Sequence, residues 1–434
     1  MSKTGLRHGG RGIRTRLPRT PGASMPAPLQ QKITKLVEAR FEEEVAFLRE
    51  LVRVPTDTPP GDNAPHAERT ATLLEAMGYT VERHPVPARQ VRAAGLASLT
   101  NLIVRRRFGA GPTIALNAHG DVVPPGAGWT RPPYEGVIEG GRMYGRGVAV
   151  SKSDFATYTF ALRALEALGR PLAGAVELHF TYDEEFGGLL GPGTLLRTGA
   201  TKPDLAIGPG FSYAVVTAHN GCLQLEVTVH GKSAHAAMPE TGHDALEAAT
   251  RILDALYMER RSYASTRSEV PGIGSPNLTV GRIEGGINTN VVPDRVTLKL
   301  DRRMIPEEDP AEAEQRLKAV IRGAVKGLAG IKIDVRRLLL ARALTPLPGH
   351  ERLADAIRAR ARGVLGEAIP ATGSPLYTDA RLYAEAGVPT VLYGAGPRSI
   401  LEANAKRADE NVALDDLKRA TVVVALVLAD LLAA

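Results

Sequence analysis

Apolar residues recur at helical spacing from Gln30 to Val54 (Ile33, Leu36, Val37, Phe41, Val45, Leu48, Leu51), and Pro55 with the Thr/Pro/Gly cluster up to Gly61 closes that helix. A second amphipathic helix is predicted from Ala64 to Met77; it stops at Gly78, and the strand-like Tyr79 to Arg83 follows. Leu102 to Val104, Thr113 to Leu116 and Val176 to Thr181 are short apolar runs that read as buried strands. Phe155 to Leu168 reads as a long helix ending at Gly169. Strand and helix alternate in this way through to Ala206, which predicts an α/β fold with a mainly parallel sheet. In such sheets the active site lies at the carboxyl ends of the strands.

The pattern changes near Phe211. From Val215 to Leu340 the order is strand, strand, helix (Ala245 to Ser262), strand, strand, helix (Pro310 to Leu328), strand. The alternating Leu223 to Val229 suits an antiparallel strand with one wet face. The first pattern resumes at Thr345, with a helix from Glu351 to Val364 and a buried strand from Thr390 to Tyr393. The predicted organisation is therefore a catalytic domain (25–211 and 341–434) interrupted by an inserted α+β, ferredoxin-like lid domain (212–340). Thr421 to Ala434 is too short an apolar run to span a bilayer and reads as a buried final helix, so no membrane association is expected.

Composition sharpens this picture in two places. The net charge of +7 suggests acidic partners, but Lys3, Arg7, Arg11, Arg14, Arg16 and Arg19 all precede Met25 with no acidic residue among them, and without these six about +1 remains. The basicity belongs to a tail (1–24) that reads as a disordered arm, an organelle-type leader or sequence upstream of a true start at Met25. No aromatic residues interleave with its arginines, which argues against nucleic-acid binding. Cys222 is the single cysteine, which excludes an internal disulfide and a thiolate-rich zinc site and suits a reducing, cytoplasmic setting.

Candidate chemistry begins at Leu116 to Pro124. His119 and Asp121 leave a strand end two residues apart and point the same way, a common fragment of metal sites in which the carboxylate orients the imidazole. Glu184 and Glu185 follow the Val176 to Thr181 strand, where one carboxylate can coordinate while the other stays free for proton transfer. Further motifs extend the series: Gly145-Arg146-Gly147 with Lys152, Gly231-Lys232-Ser233-Ala234-His235, Gly285-Gly286 with Asn290 to Pro293, Thr378-Asp379-Ala380-Arg381 and Gly387-Val388-Pro389. From about Arg40 to Leu432 this succession resembles the co-catalytic metallopeptidase and deacylase family of acetylornithine deacetylase, succinyl-diaminopimelate desuccinylase, aminoacylase and carboxypeptidase G.

The resemblance implies a metal-dependent hydrolase of C–N bonds in small carboxylate-bearing substrates, dimerised or further assembled through the lid. It implies His119 and Glu185 as metal ligands, Asp121 as the residue orienting His119, and Glu184 as the general base. It also implies His235 reaching a neighbouring subunit's site, with Asn290 and Arg303 holding a substrate carboxylate; an ion pair with Asp301 or Glu307 is the competing role for Arg303. Three ligand positions depart from the pattern: Val150 stands where a bridging aspartate is expected, Gly210 where an acidic ligand is expected, and Lys406 where a histidine is expected. None of these side chains coordinates a metal while the lysine is charged. The expected cofactor is accordingly one labile divalent ion per chain (manganese, zinc or cobalt), with Asp154, Asp121 or His219 as candidates for the missing donor. The sequence is also similar to the branch of 5-nitroanthranilic acid aminohydrolase, which replaces a ring amine by hydroxyl. Deamination of an amino-substituted aromatic acid is therefore the specific expectation, with N-acyl amino acid or dipeptide hydrolysis, and a non-catalytic binding protein, as alternatives.

Overall fold

The central sheet has eight strands in the spatial order Val81–Pro85, Thr100–Arg107, Ala175–Thr181, Thr113–His119, Leu205–Gly208, Thr390–Leu392, Val215–His219 and Ala371–Ser374. This computed structural model describes residues 28–434, and the basic stretch 1–24 lies outside them. Ala175–Thr181, Thr113–His119, Leu205–Gly208 and Thr390–Leu392 run parallel to one another. Ala175–Thr181 is buried along its whole length, as expected of a strand covered on both faces. The final helix, Leu414–Leu431, packs against Lys152–Glu166, His350–Leu365 and Pro28–Glu38. It is buried almost throughout from Thr421 onward, which makes it a core helix.

Three elements differ from the sequence expectation. The helix expected from Gln30 to Val54 is two helices, Pro28–Glu38 and Phe41–Val52, broken where Arg40 leaves helical geometry at φ −122° and ψ 12°. The apolar spacing runs across the break because both halves bury residues in one cluster, including Ile33, Val37, Phe47 and Leu51. The helix expected at Phe155 starts at Lys152, whose buried ammonium donates to the carbonyls of Val54 (3.0 Å) and Leu51 (3.3 Å). A lysine here adds a donor for carbonyls at and just past the end of the Phe41–Val52 helix. The strand Val215–His219, which the pattern placed in the insert, belongs to the large sheet. Its neighbour Gly221–His230 belongs to the other sheet, and one residue separates the two, too short a break for periodicity to register.

The inserted unit is a four-stranded antiparallel sheet in the order Asn277–Gly285, Arg295–Met304, Gly221–His230 and Lys332–Ala341. With the helices Ala245–Ser262 and Pro310–Ala324 it follows a βαββαβ course, the ferredoxin-like arrangement. Leu223, Leu225, Val227, Ile252, Leu256, Leu298, Leu317 and Ile321 form its separate core. A third, small sheet pairs Asn411–Ala413 with Arg142–Tyr144. That pairing brings the loop before Asn411 beside the Gly145–Gly147 turn, and so to the mouth of the cleft.

Candidate active site

Thr113–His119 and Ala175–Thr181 are adjacent parallel strands, with His119 opposite Thr181 in register. The loops that follow them therefore leave the same edge of the sheet, and His119, Asp121, Glu184 and Glu185 meet there. Asp121 is fully buried and accepts the backbone N–H groups of Glu185 (2.9 Å) and Glu184 (3.3 Å), so its carboxylate ties one loop to the other. His119 Nδ1 lies 3.1 Å from the Asp121 carbonyl oxygen and 3.4 Å from Asp121 Oδ1, and its Nε2 lies 3.9 Å from Glu184 Oε2. Ser151 fixes the strand end: its hydroxyl accepts the His119 N–H (2.8 Å) and donates to the His119 carbonyl (3.0 Å).

Charge crowds into this buried corner. Burial alone would push the His119 imidazole down, but the carboxylates of Glu184, Asp121 and Glu185 outweigh it and hold the ring up at about 10. Burial pushes the Glu184 carboxyl up to about 7, against the pull of His119 and Lys406. A carboxyl poised near neutrality can both take and return a proton.

The facing wall carries Lys406, whose Nζ lies 2.6 Å from Glu185 Oε2. Its side chain crosses the mouth of the cleft and stays 60% exposed. Burial opposes its charge, but Glu185 and Glu184 hold the ammonium above its ordinary range. The backbone here is unusual: Asn404, Lys406 and Asp409 have φ of 50°, 61° and 54°. Left-handed backbone costs an ordinary L-residue about 1–3 kcal/mol and persists where the surroundings over-determine it. Glu410 provides that support. It accepts the N–H groups of Gly147 (3.0 Å), Ala149 (3.1 Å) and Lys406 (3.3 Å), and it pairs with the buried Arg146 guanidinium.

These donors do not fit the metal centre that the resemblance implies. Among the described residues, no group of three or more His, Cys, Asp or Glu side chains is arranged to hold a metal ion. Of the two expected ligands, Glu185 is bonded to an ammonium. The candidate extra donors are committed elsewhere. Asp154 Oδ1 accepts the Ala395 N–H (2.9 Å), and His219 approaches the Asn220 carbonyl (2.9 Å) through Nδ1 while its Nε2 accepts the Thr378 N–H (3.3 Å). Asp121 is spent on the two backbone groups of the Glu184–Glu185 turn.

Beyond the charged corner the cleft opens into a cavity of about 280 Å³, walled by Val122, Val150, Phe211, Val216, Leu376, Tyr377, Leu392 and Ile400. Arg303 reaches it from the inserted unit, held by Asp301 (Nε to Oδ1, 2.7 Å) and lying 5.3 Å from the centroid of the Tyr377 ring. Of the roles open for Arg303 in the sequence, the ion pair with Asp301 is formed. His235 and Asn290 lie together on an exposed part of the insert, where Ala236 donates to the Asn290 carbonyl (3.0 Å), and neither lines this chain's cavity. Sequence reasoning missed the apolar wall and the Arg146–Glu410 anchor. Phe211 and Tyr377 do follow strand ends of the large sheet, and that position was the available signal.

Comparison with known proteins agrees with the resemblance. The chain is 30% identical over 385 residues to an acetylornithine deacetylase of Myxococcus xanthus, which covers 88% of this chain and 95% of that protein. It is 28% identical to a succinyl-diaminopimelate desuccinylase of Rhodospirillum centenum, covering 89% of this chain and 96% of that one. Its fold matches a metallo-carboxypeptidase of Sulfolobus solfataricus with a TM-score of 0.73, at 19% identity, over 89% of this chain and 98% of the other. The family model of peptidase family M20/M25/M40 matches residues 115–430. The protein therefore belongs to peptidase family M20/M25/M40, a family of metal-dependent enzymes that hydrolyse C–N bonds.

Proposed function

We propose that this enzyme hydrolyses the amide C–N bond of a small carboxylate-bearing substrate whose acyl group is apolar or aromatic. The observation that carries this reading is the cavity: apolar walls on one side, with His119, Glu184, Lys406 and Arg303 around its rim. An apolar side chain or ring fits those walls, while Lys406 or Arg303 attracts the carboxylate. Glu184 takes a proton from water as the water oxygen attacks the amide carbon. The same carboxyl then passes that proton to the departing nitrogen, so the C–N bond breaks to give an acid and an amine. The neighbouring Lys406 ammonium offsets negative charge that develops on the amide oxygen. Among the described residues the donors present do not assemble a metal site, and the protein groups alone carry these steps.

A second reading rests on the same apolar walls. Phe211 and Tyr377 beside Arg303 also suit an aromatic acid, whose ring amine would be replaced by hydroxyl. One panel separates the two readings: N-benzoylglycine, an N-succinyl amino acid, a dipeptide and an amino-nitrobenzoic acid. Release of glycine from N-benzoylglycine, faster than turnover of the N-succinyl compound, is the expected result. Turnover of the amino-nitrobenzoic acid alone moves the reading to deamination.

A further inference from the structure

We infer that the Lys406 ammonium is the resident cation of this site, occupying Glu185 in place of a metal ion. The inference goes beyond the reaction proposed above and stands whichever C–N bond is cleaved. Three positions support it, each through a different physical cause. At Val150 the expected bridging carboxylate is an isopropyl group, 40% exposed in the wall of the cavity, which offers no lone pair. At Gly210 a side chain has no room: a Cβ there would lie 2.8 Å from the Leu392 carbonyl carbon and 2.8 Å from the Tyr393 nitrogen, both backbone atoms. The acidic ligand expected there is thus excluded by packing as well as absent. At Lys406 the ligand has become a cation and has taken an oxygen of the remaining carboxylate, Glu185, at 2.6 Å.

The lysine is held in place by a network of its own. Glu410 binds the Lys406 N–H with one oxygen and the Gly147 and Ala149 N–H groups with the other, which sets the loop against the turn that carries Val150. Any divalent ion that approached Glu185 would have to displace a like-charged group already bonded there. The same ammonium supplies the corner with positive charge that needs no cofactor.

Metal counting and melting test this without reference to turnover. The wild-type protein, purified without chelator, is analysed for transition metals by mass spectrometry, and its Tm is measured with and without manganese or zinc. Lys406→Met, which keeps an unbranched, slightly shorter side chain and removes its charge, is treated in parallel. The wild type is expected to carry far less than one metal ion per chain and to melt at the same temperature in chelator, manganese or zinc. In Lys406→Met, with Glu185 released, added metal is expected to raise Tm. A wild type that holds a full equivalent of metal, or whose Tm rises on metal addition, overturns the assignment even if the variant fails to fold. Absence of hydrolysis by the wild type, with the metal results as expected, would instead count against the proposed reaction alone.

Discussion

One wall of the cleft is made of His119, Asp121, Glu184 and Glu185, set on adjacent parallel strand ends and joined through the Asp121 carboxylate to two backbone N–H groups. The facing wall is made of Val150, Gly210 and Lys406; Glu410 and Arg146 tie together the loops that carry Val150 and Lys406. The first wall gathers an imidazole and three carboxylates, and the second presents an alkyl surface, a close backbone contact and an ammonium. On the proposed mechanism, proton transfer and charge stabilisation are then separate tasks, one for each wall. The proton-transfer group is fixed by the sheet, and the charge can be supplied by whichever loop faces it.

The comparison is broken most severely at Glu184. Glu184→Gln should leave folding intact and lower kcat by about a hundred- to ten-thousand-fold, the usual effect of removing a general base. Near-full activity in a correctly folded variant would place the base elsewhere. The same carboxyl sets the pH dependence. It acts as a base only when ionised and burial holds it up at about 7, so kcat/KM should rise with pH through that region and fall below it. A rate flat from acid to alkaline pH would contradict this.

Glu410→Gln tests the second wall. It leaves the buried Arg146 charge without its partner, a loss that costs about 3–5 kcal/mol in typical buried pairs. Tm should drop accordingly, and kcat/KM should fall with it as Lys406 loses its anchor. Phe211→Ala is a smaller change that sharpens the substrate assignment. Deleting ring contacts from an apolar pocket is worth about 1–3 kcal/mol in discrimination. KM for N-benzoylglycine should rise while a smaller N-acetyl substrate is affected less; an equal effect on both would remove Phe211 from the acyl pocket.

The smallest effect on activity is expected outside the cleft, at Glu44. Burial pushes its carboxyl up from 4.5 to about 8, opposed by the bond from Thr421. Between those pH values the folded state binds the extra proton, so this group lowers stability as pH climbs from about 4.5 to about 8. Glu44→Gln should therefore raise Tm at pH 8 more than at pH 5, with activity unchanged. An equal shift at both pH values would show that Glu44 does not titrate as a buried acid.

Much of the first wall was legible in the sequence, because short apolar runs mark strands and position at a strand end marks the loops that meet. His119, Asp121, Glu184 and Glu185 were found in that way. The second wall was legible only as a set of departures, and its new contacts were not. Nothing in the local pattern says that Lys406 reaches Glu185, since the two lie far apart in the chain and meet through the pairing of Asn411–Ala413 with Arg142–Tyr144. Phe211 and Tyr377 escaped for a related reason: a single aromatic residue in a loop has no periodicity to betray which cavity it lines. The Val215–His219 strand was assigned to the wrong sheet because alternation reports burial and not the identity of the neighbouring strand.

The two walls meet in one measurement, the rate of glycine release from N-benzoylglycine by the wild-type enzyme before and after exhaustive dialysis against a strong chelator. Hydrolysis at an unchanged rate is expected, with Glu184 moving the proton and Lys406 supplying the charge. Loss of activity on dialysis, restored by manganese, zinc or cobalt, would contradict the assignment of Lys406 as the resident cation and return Glu185 to a metal.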